Sequence, residues 1–207
     1  MSGAASMVEV FADVCCPFTH VGLRRFVEIR EQLGRHDVGL VVRAWPLELV
    51  NGKPLEASFV AEEVEVLRRA VAPDLFRGFI PEQFPSTSLP ALALAAAAYR
   101  QSAATGEAVS LELRDLLFEQ GVDISTPVVL DEVARRHGIR IDDRDRGSVH
   151  SDLAEGRERG VVGSPHFFTS GGAFFCPSLQ VTRDEAGELR VKVDQDALNA
   201  FIRSCFG

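Results

Sequence analysis

Positive charge is scarce in this chain, and almost all of it is arginine. Lysine and arginine together number 22 against 30 acidic residues, giving a formal net charge of −8, and lysine occurs only at Lys53 and Lys192. A nucleic-acid or anionic-membrane partner needs clustered cations to neutralise phosphates, so this balance argues against both. The pairs Arg24 and Arg25, Arg68 and Arg69, and Arg135 and Arg136 lie in acidic or mixed surroundings and read as solvated helix faces. Long apolar runs are missing too. The Ala-rich stretch 91–98 ends at Tyr99, Arg100 and Gln101, well short of the roughly 18 apolar residues that a membrane helix needs. The opening MSGAASM lacks both the cationic start and the apolar core of a signal peptide, so a cytoplasmic location is expected. Only four cysteines occur. In a reducing compartment they are not expected to form structural bridges, which leaves chemistry as their use. The cysteines and histidines lack paired ligand spacing, so no metal site is expected.

What remains is an ordinary globular composition: 207 residues, 46% hydrophobic and 25% charged. That suits one domain, or a domain carrying one large insertion. Residues 8–12 are apolar and β-branched and stop at Asp13, which reads as a buried strand. Apolar positions over 17–33 fall on one helical face, with Pro17 in the first turn and Gly34 at the stop. A second buried strand, 38–45, ends before Pro46. Strand, helix and strand within 46 residues imply a parallel pair joined by a crossover. Helical patterns then cover 57–71, 89–104, 107–120, 127–137 and 146–159. Strand signals return at 167–168 and 173–175, then as a hairpin of 179–182 with 189–193. A final amphipathic helix covers 195–205. Repeats and low-complexity linkers are absent.

The chemistry concentrates in "DVCCPFTH", residues 13–20, where the first strand gives way to the first helix. Unpaired N–H groups and the positive end of the helix dipole favour a thiolate there. A fall in pKa from about 8.5 to about 6 would favour the ionised form by about 3.4 kcal/mol. Cys16, directly before Pro17, holds that position. Cys15 reads better as a small buried hydrophobe at a strand end. Counted from Cys16, the second place of a Cys-X-X-Cys pair falls on Thr19. His20 shares a helix face with Cys16 at i+4, either as a partner of the thiol or as a solvated residue. Farther on, "GVVGSPHFF" puts Pro165 between a glycine-containing loop and a strand, a natural place for a cis peptide bond. His166 is expected to point away from the site.

"FADVCCPFTHVGLRRF" followed by "GVVGSPHFF" resembles the DsbA-like thioredoxin-fold family, in its FrnE-like branch. That branch is related to the 2-hydroxychromene-2-carboxylate isomerases and the kappa-class glutathione transferases. "RAWPLEL" and "LRDLLFEQGVDIST" support the resemblance, which runs over about 8–177. It implies an α/β chain: a thioredoxin fold with a helical insertion between the second strand and the cis-proline loop. The thioredoxin-like part would be 1–52 and 160–207, and the insertion 53–159. It further implies that Cys16 is the nucleophile, that Pro165 faces it in the cis form, and that the Ser164 backbone pairs with bound peptide or thiol. Pro17 and Phe18 lie between the redox positions, and Thr19 replaces the resolving cysteine, where it would hydrogen-bond the sulfur. Cys176, leaving the last hairpin strand, reads either as a displaced resolving cysteine or as a packed thiol.

The implied activity is thiol–disulfide exchange through mixed disulfides on Cys16. The partners would be a small thiol or a protein disulfide, and no cofactor would be bound, with glutathione or mycothiol as co-substrate. Two alternatives stay open: a thiol-dependent transferase or isomerase, whose relatives typically carry serine at the first position, and a non-catalytic binding module. A homodimer is also left open.

Overall fold

The computed structural model describes residues 6–207. The reading of the N-terminus as lacking a leader falls largely on residues 1–5, outside the described residues. Strand β1 (Ser6–Ala12) and strand β2 (Val38–Ala44) are parallel and joined by helix α1 (Pro17–Gln32). Helices α2 (Leu47–Asn51), α3 (Ala57–Ala70), α4 (Leu89–Gln101), α5 (Ala103–Phe118), α6 (Pro127–Arg136) and α7 (Asp143–Glu158) follow. The chain then returns as β3 (His166–Thr169), β4 (Gly172–Phe175), β5 (Leu179–Arg183), β6 (Leu189–Val193) and α8 (Gln195–Phe206). The main sheet has the order β2-β1-β3-β4, and β3 is antiparallel to both of its neighbours. This is a thioredoxin fold with a helical insertion. The β5–β6 hairpin is a separate two-stranded sheet whose β6 packs against α3.

Alternation along β1 sets the two layers. Val8, Val10 and Ala12 join Leu23 and Phe26 of α1 and Phe201 and Phe206 of α8 on one side. Phe11 turns the other way, onto Trp45 and Leu153 of α7. Each buried Phe of this kind stabilises the fold by about 2–3 kcal/mol. Gly156 of α7 allows that second contact, because a Cβ there would meet the Trp45 ring at 2.6 Å.

The insertion also covers the β2 edge, whose unpaired groups would otherwise invite pairing with another chain. The Tyr99 hydroxyl accepts from the Val42 N–H at 2.9 Å and donates to the Leu40 carbonyl at 3.2 Å. Glu107 accepts from the Leu40 N–H at 3.1 Å.

The largest departures from the sequence pattern are two helix starts and one short helix. Ser102 ends α4 and caps α5, with its hydroxyl accepting from the Thr105 N–H at 3.0 Å, so α5 starts four residues before the expected 107. Helix α7 begins at Asp143, earlier than the expected 146, because Asp142 and Asp145 form a reciprocal cap. The short α2 was not expected; it starts directly after Pro46. Among the described residues, no helix is long and apolar enough to cross a membrane.

Candidate active site

Strand β1 stops at Ala12 because Asp13 redirects the chain. Its carboxylate accepts from the Cys15 N–H at 2.8 Å, an Asx-type turn. The Cys16 N–H then reaches the Asp13 carbonyl at 3.4 Å, and the Cys16 carbonyl takes the first helical bond from His20 at 3.2 Å. Cys16 is therefore the N-cap of α1, with Pro17 at the first helical position. The thiol donates to the Ser164 carbonyl at 3.3 Å. The Ser164–Pro165 peptide bond is cis. The Ser164 hydroxyl accepts from the Asp13 N–H at 2.9 Å and lies 2.7 Å from the Thr19 hydroxyl. Cys16, Thr19, Ser164 and Pro165 thus come together across a sequence separation of about 145 residues. Pro17 and Phe18 lie buried in the first turn of α1.

The site holds a thiol, contrary to the sequence expectation of a thiolate at neutral pH. Cys16 is only 4% exposed. Burial pushes its pKa up to about 11, and the Glu63 carboxylate adds to the rise. The Thr19 hydroxyl, the Thr19 N–H and the Ser164 hydroxyl pull the other way and do not prevail. Removal from water outweighs the helix start. The difference in thiolate ultraviolet absorbance between wild type and Cys16→Ser should therefore titrate far above a free thiol, towards pH 11. A midpoint below about 8.5 would contradict the buried-thiol geometry.

The other candidates have distinct places. Cys15 is buried, and its pKa is driven well above 9 by burial and by Asp13. His20 is neither solvated nor paired with the thiol. It is 1% exposed, packed between the Phe76 and Phe118 rings, with Nε2 2.7 Å from Glu119 Oε1. Burial lowers its pKa, so the neutral ring donates from Nε2. His166 stacks on Phe168 at 4.9 Å, and its Nδ1 accepts from the Val162 N–H at 3.2 Å. Cys176 lies beside the cis-proline: its N–H donates to the Pro165 carbonyl at 3.0 Å. Its φ is 43°, an uncommon left-handed conformation for a residue with a Cβ. Burial and the charge on Cys16 push its thiol up to about 12. All four cysteines are unpaired.

Sequence reasoning missed what supports the turn from below. The Asp13 carboxylate also accepts from the Leu47 N–H at 2.7 Å and the Ser88 hydroxyl at 3.1 Å. Arg114 of α5, 1% exposed, donates to the Asp13 carbonyl at 3.2 Å and the Ser110 carbonyl at 2.7 Å. Glu48 joins through the Ser88 hydroxyl at 3.0 Å.

Residues 7–184 match the DSBA-like thioredoxin domain. The chain belongs to that family. Solved structures of similar fold surround the DSBA-like chain at low identity. One is a 2-hydroxychromene-2-carboxylate isomerase, with TM-score 0.62, 13% identity, and coverage of 82% of this chain and 88% of that one. Another is the cytosolic disulfide reductase DsbM from Pseudomonas aeruginosa, with TM-score 0.58, 14% identity, and coverage of 95% and 97%. A linker-deletion variant of ScsC from Proteus mirabilis has TM-score 0.57, 13% identity, and coverage of 98% and 70%. No curated protein matches the chain. At these identities the likeness concerns the fold.

Proposed function

We propose that this DSBA-like protein is a thiol–disulfide oxidoreductase that works through Cys16 alone. The observation that carries the reading is the thiol at the N-cap of α1, 3.3 Å from the carbonyl that precedes the cis-proline. Exchange begins when the neighbours that bury Sγ yield and its proton leaves. The thiolate attacks one sulfur of a substrate disulfide, the S–S bond breaks, and the departing thiolate takes up a proton. The mixed disulfide is held against the Ser164 backbone, with the Thr19 hydroxyl turned to the sulfur. A second, small thiol such as glutathione or mycothiol then attacks the mixed disulfide and frees Cys16. Cys176 is the less suitable resolving group, since its strained backbone is followed by Pro177, which restricts adjustment.

Incubation with 2-hydroxyethyl disulfide tests this. One adduct per chain is expected, mapped by peptide mass spectrometry to Cys16 and removed by added glutathione. Adducts on Cys15, Cys176 or Cys205 with Cys16 unmodified would overturn the reading.

A further inference from the structure

Strand β2 lies at the edge of the main sheet, and side chains rather than another strand take its outward-facing groups. Leu40 is bonded at both its N–H and its carbonyl, by Glu107 and Tyr99. The Val42 N–H goes to the Tyr99 hydroxyl, and the Ala44 N–H to the Asp152 carboxylate at 2.8 Å. The N–H and C=O of one strand residue point to the same side, so the Val42 carbonyl faces this edge as well. Among the described residues, no side chain donates to it.

Two buried groups on α5 are left in the same condition. Ser110 is 0% exposed, and its Oγ has no hydrogen-bond partner among the described residues. Tyr99 lies close to it, but the Tyr99 hydroxyl already gives its proton to the Leu40 carbonyl. Arg114 donates to the Ser110 and Asp13 carbonyls, whereas its Nε–H has no acceptor among the described residues. Enclosing such groups without a partner is costly. Val42, Ser110 and Arg114 line one cavity, whose apolar walls include Val14, Leu92 and Ala95. It has about 10 Å³ of room for the centre of a water-sized sphere, which is space for one water and nothing larger.

We propose that this cavity is a binding site for a single internal water, which donates to the Val42 carbonyl and the Ser110 hydroxyl and accepts from the Arg114 Nε–H. The partners decide the chemistry of the occupant. Val42 offers only an acceptor and Arg114 only a donor, so the occupant must both donate and accept. An anion cannot donate to the carbonyl, and a cation cannot accept from the guanidinium. Charge points the same way. Arg43 on the cavity wall is held by Asp152 at 2.7 Å, and Arg114 is attracted by Asp13, which leaves no surplus charge for an ion. Three hydrogen bonds are also the usual complement of a buried water. The bound water joins the β2 edge to α5. Through Arg114 it reaches the Asp13 carbonyl that also receives the Cys16 N–H.

A high-resolution crystal structure of the wild-type protein, from a crystal soaked in sodium bromide, tests the occupant. One water is expected within about 3.2 Å of the Val42 carbonyl, Ser110 Oγ and Arg114 Nε together. A dry cavity overturns the proposal. So does an anomalous bromide peak inside it, or an Arg114 Nε–H turned onto a protein acceptor. In solution, the methyl protons of Leu92 and Ala95 should show nuclear Overhauser peaks to water. Ser110→Ala removes the only hydroxyl that lines the cavity, so a peak kept in that variant comes from the water and not from an exchanging hydroxyl. Ser110→Val fills the space with methyl groups, and the peak should be lost. Loss of the peak in Ser110→Ala, or its survival in folded Ser110→Val, overturns the proposal. The wild-type crystal decides the matter even if a variant fails to fold.

Discussion

Thr19→Cys is expected to form an internal disulfide with Cys16 and to raise insulin-disulfide reduction, with dithiothreitol as reductant, by roughly 10²-fold. The magnitude follows from turning release of the mixed disulfide from a bimolecular step into an intramolecular one, a conversion that is large even with imperfect alignment. Geometry supports it. Cys16 is the N-cap and Thr19 the third residue of α1, and side chains three apart on a helix are neighbours. Cα atoms three apart on an α-helix lie about 5 Å from one another, within the range that a disulfide spans. The substitution removes the hydroxyl contact with Ser164, 2.7 Å in the wild type, at a cost of about 1 kcal/mol. Mild oxidation followed by intact-mass measurement should show the loss of two hydrogens, with the bridge mapped to residues 16 and 19. A variant that keeps both thiols free under those conditions would refute the equivalence of Thr19 with a resolving position.

The parts of this site that could be read from the sequence are those whose identity is fixed by local backbone. Cys16 sits where an apolar strand ends and Pro17 opens a helix, and both signals are local. Pro165 was readable for the same reason, as a proline between a loop and a strand. The degree of burial was not local. Position 16 promised the electrostatics of a helix start, but whether water reaches Sγ depends on what packs over it, including helix α3 some 40 residues later. His20 shows the same limit. Its spacing placed it on the Cys16 face, whereas Glu119, 99 residues away, decides where its ring points.

Arg114 left a trace that periodicity could have used. It belongs to the buried stripe Ser110, Leu113, Arg114, Leu117 and Phe118 of α5. An arginine inside a mostly apolar stripe announces a buried partner, because an unpaired guanidinium is rarely tolerated there. The partner was Asp13, 101 residues earlier, and nothing local connects the two. At sequence level, Asp13 served only as the residue that ends a strand.

That buried network gives the second large expectation. Asp13→Ala should destabilise the protein by about 3–5 kcal/mol, the usual consequence of removing one member of a buried charged network. For a chain of this size that corresponds to a melting temperature lower by about 10 °C. The carboxylate is fully enclosed and satisfies the Cys15 and Leu47 N–H groups and the Ser88 hydroxyl. Its loss strands those donors and leaves the Arg114 guanidinium, whose ionised form burial already disfavours, without its opposing charge. Two effects therefore add, an opened Asx turn under Cys16 and an uncompensated cation within the core. They separate in a double-mutant cycle with Arg114→Met. If the stranded charge dominates, the double variant regains stability relative to Asp13→Ala. If the lost turn dominates, the two losses add. Urea unfolding of the four proteins supplies all the numbers, and an Asp13→Ala protein within about 1 kcal/mol of wild type would refute the role of the network. The adduct rate at Cys16 in the folded variant then links stability to function. The Asp13 carbonyl receives both Arg114 and the Cys16 N–H, so a loosened turn is expected to move Sγ away from the Ser164 carbonyl on which the proposed exchange depends.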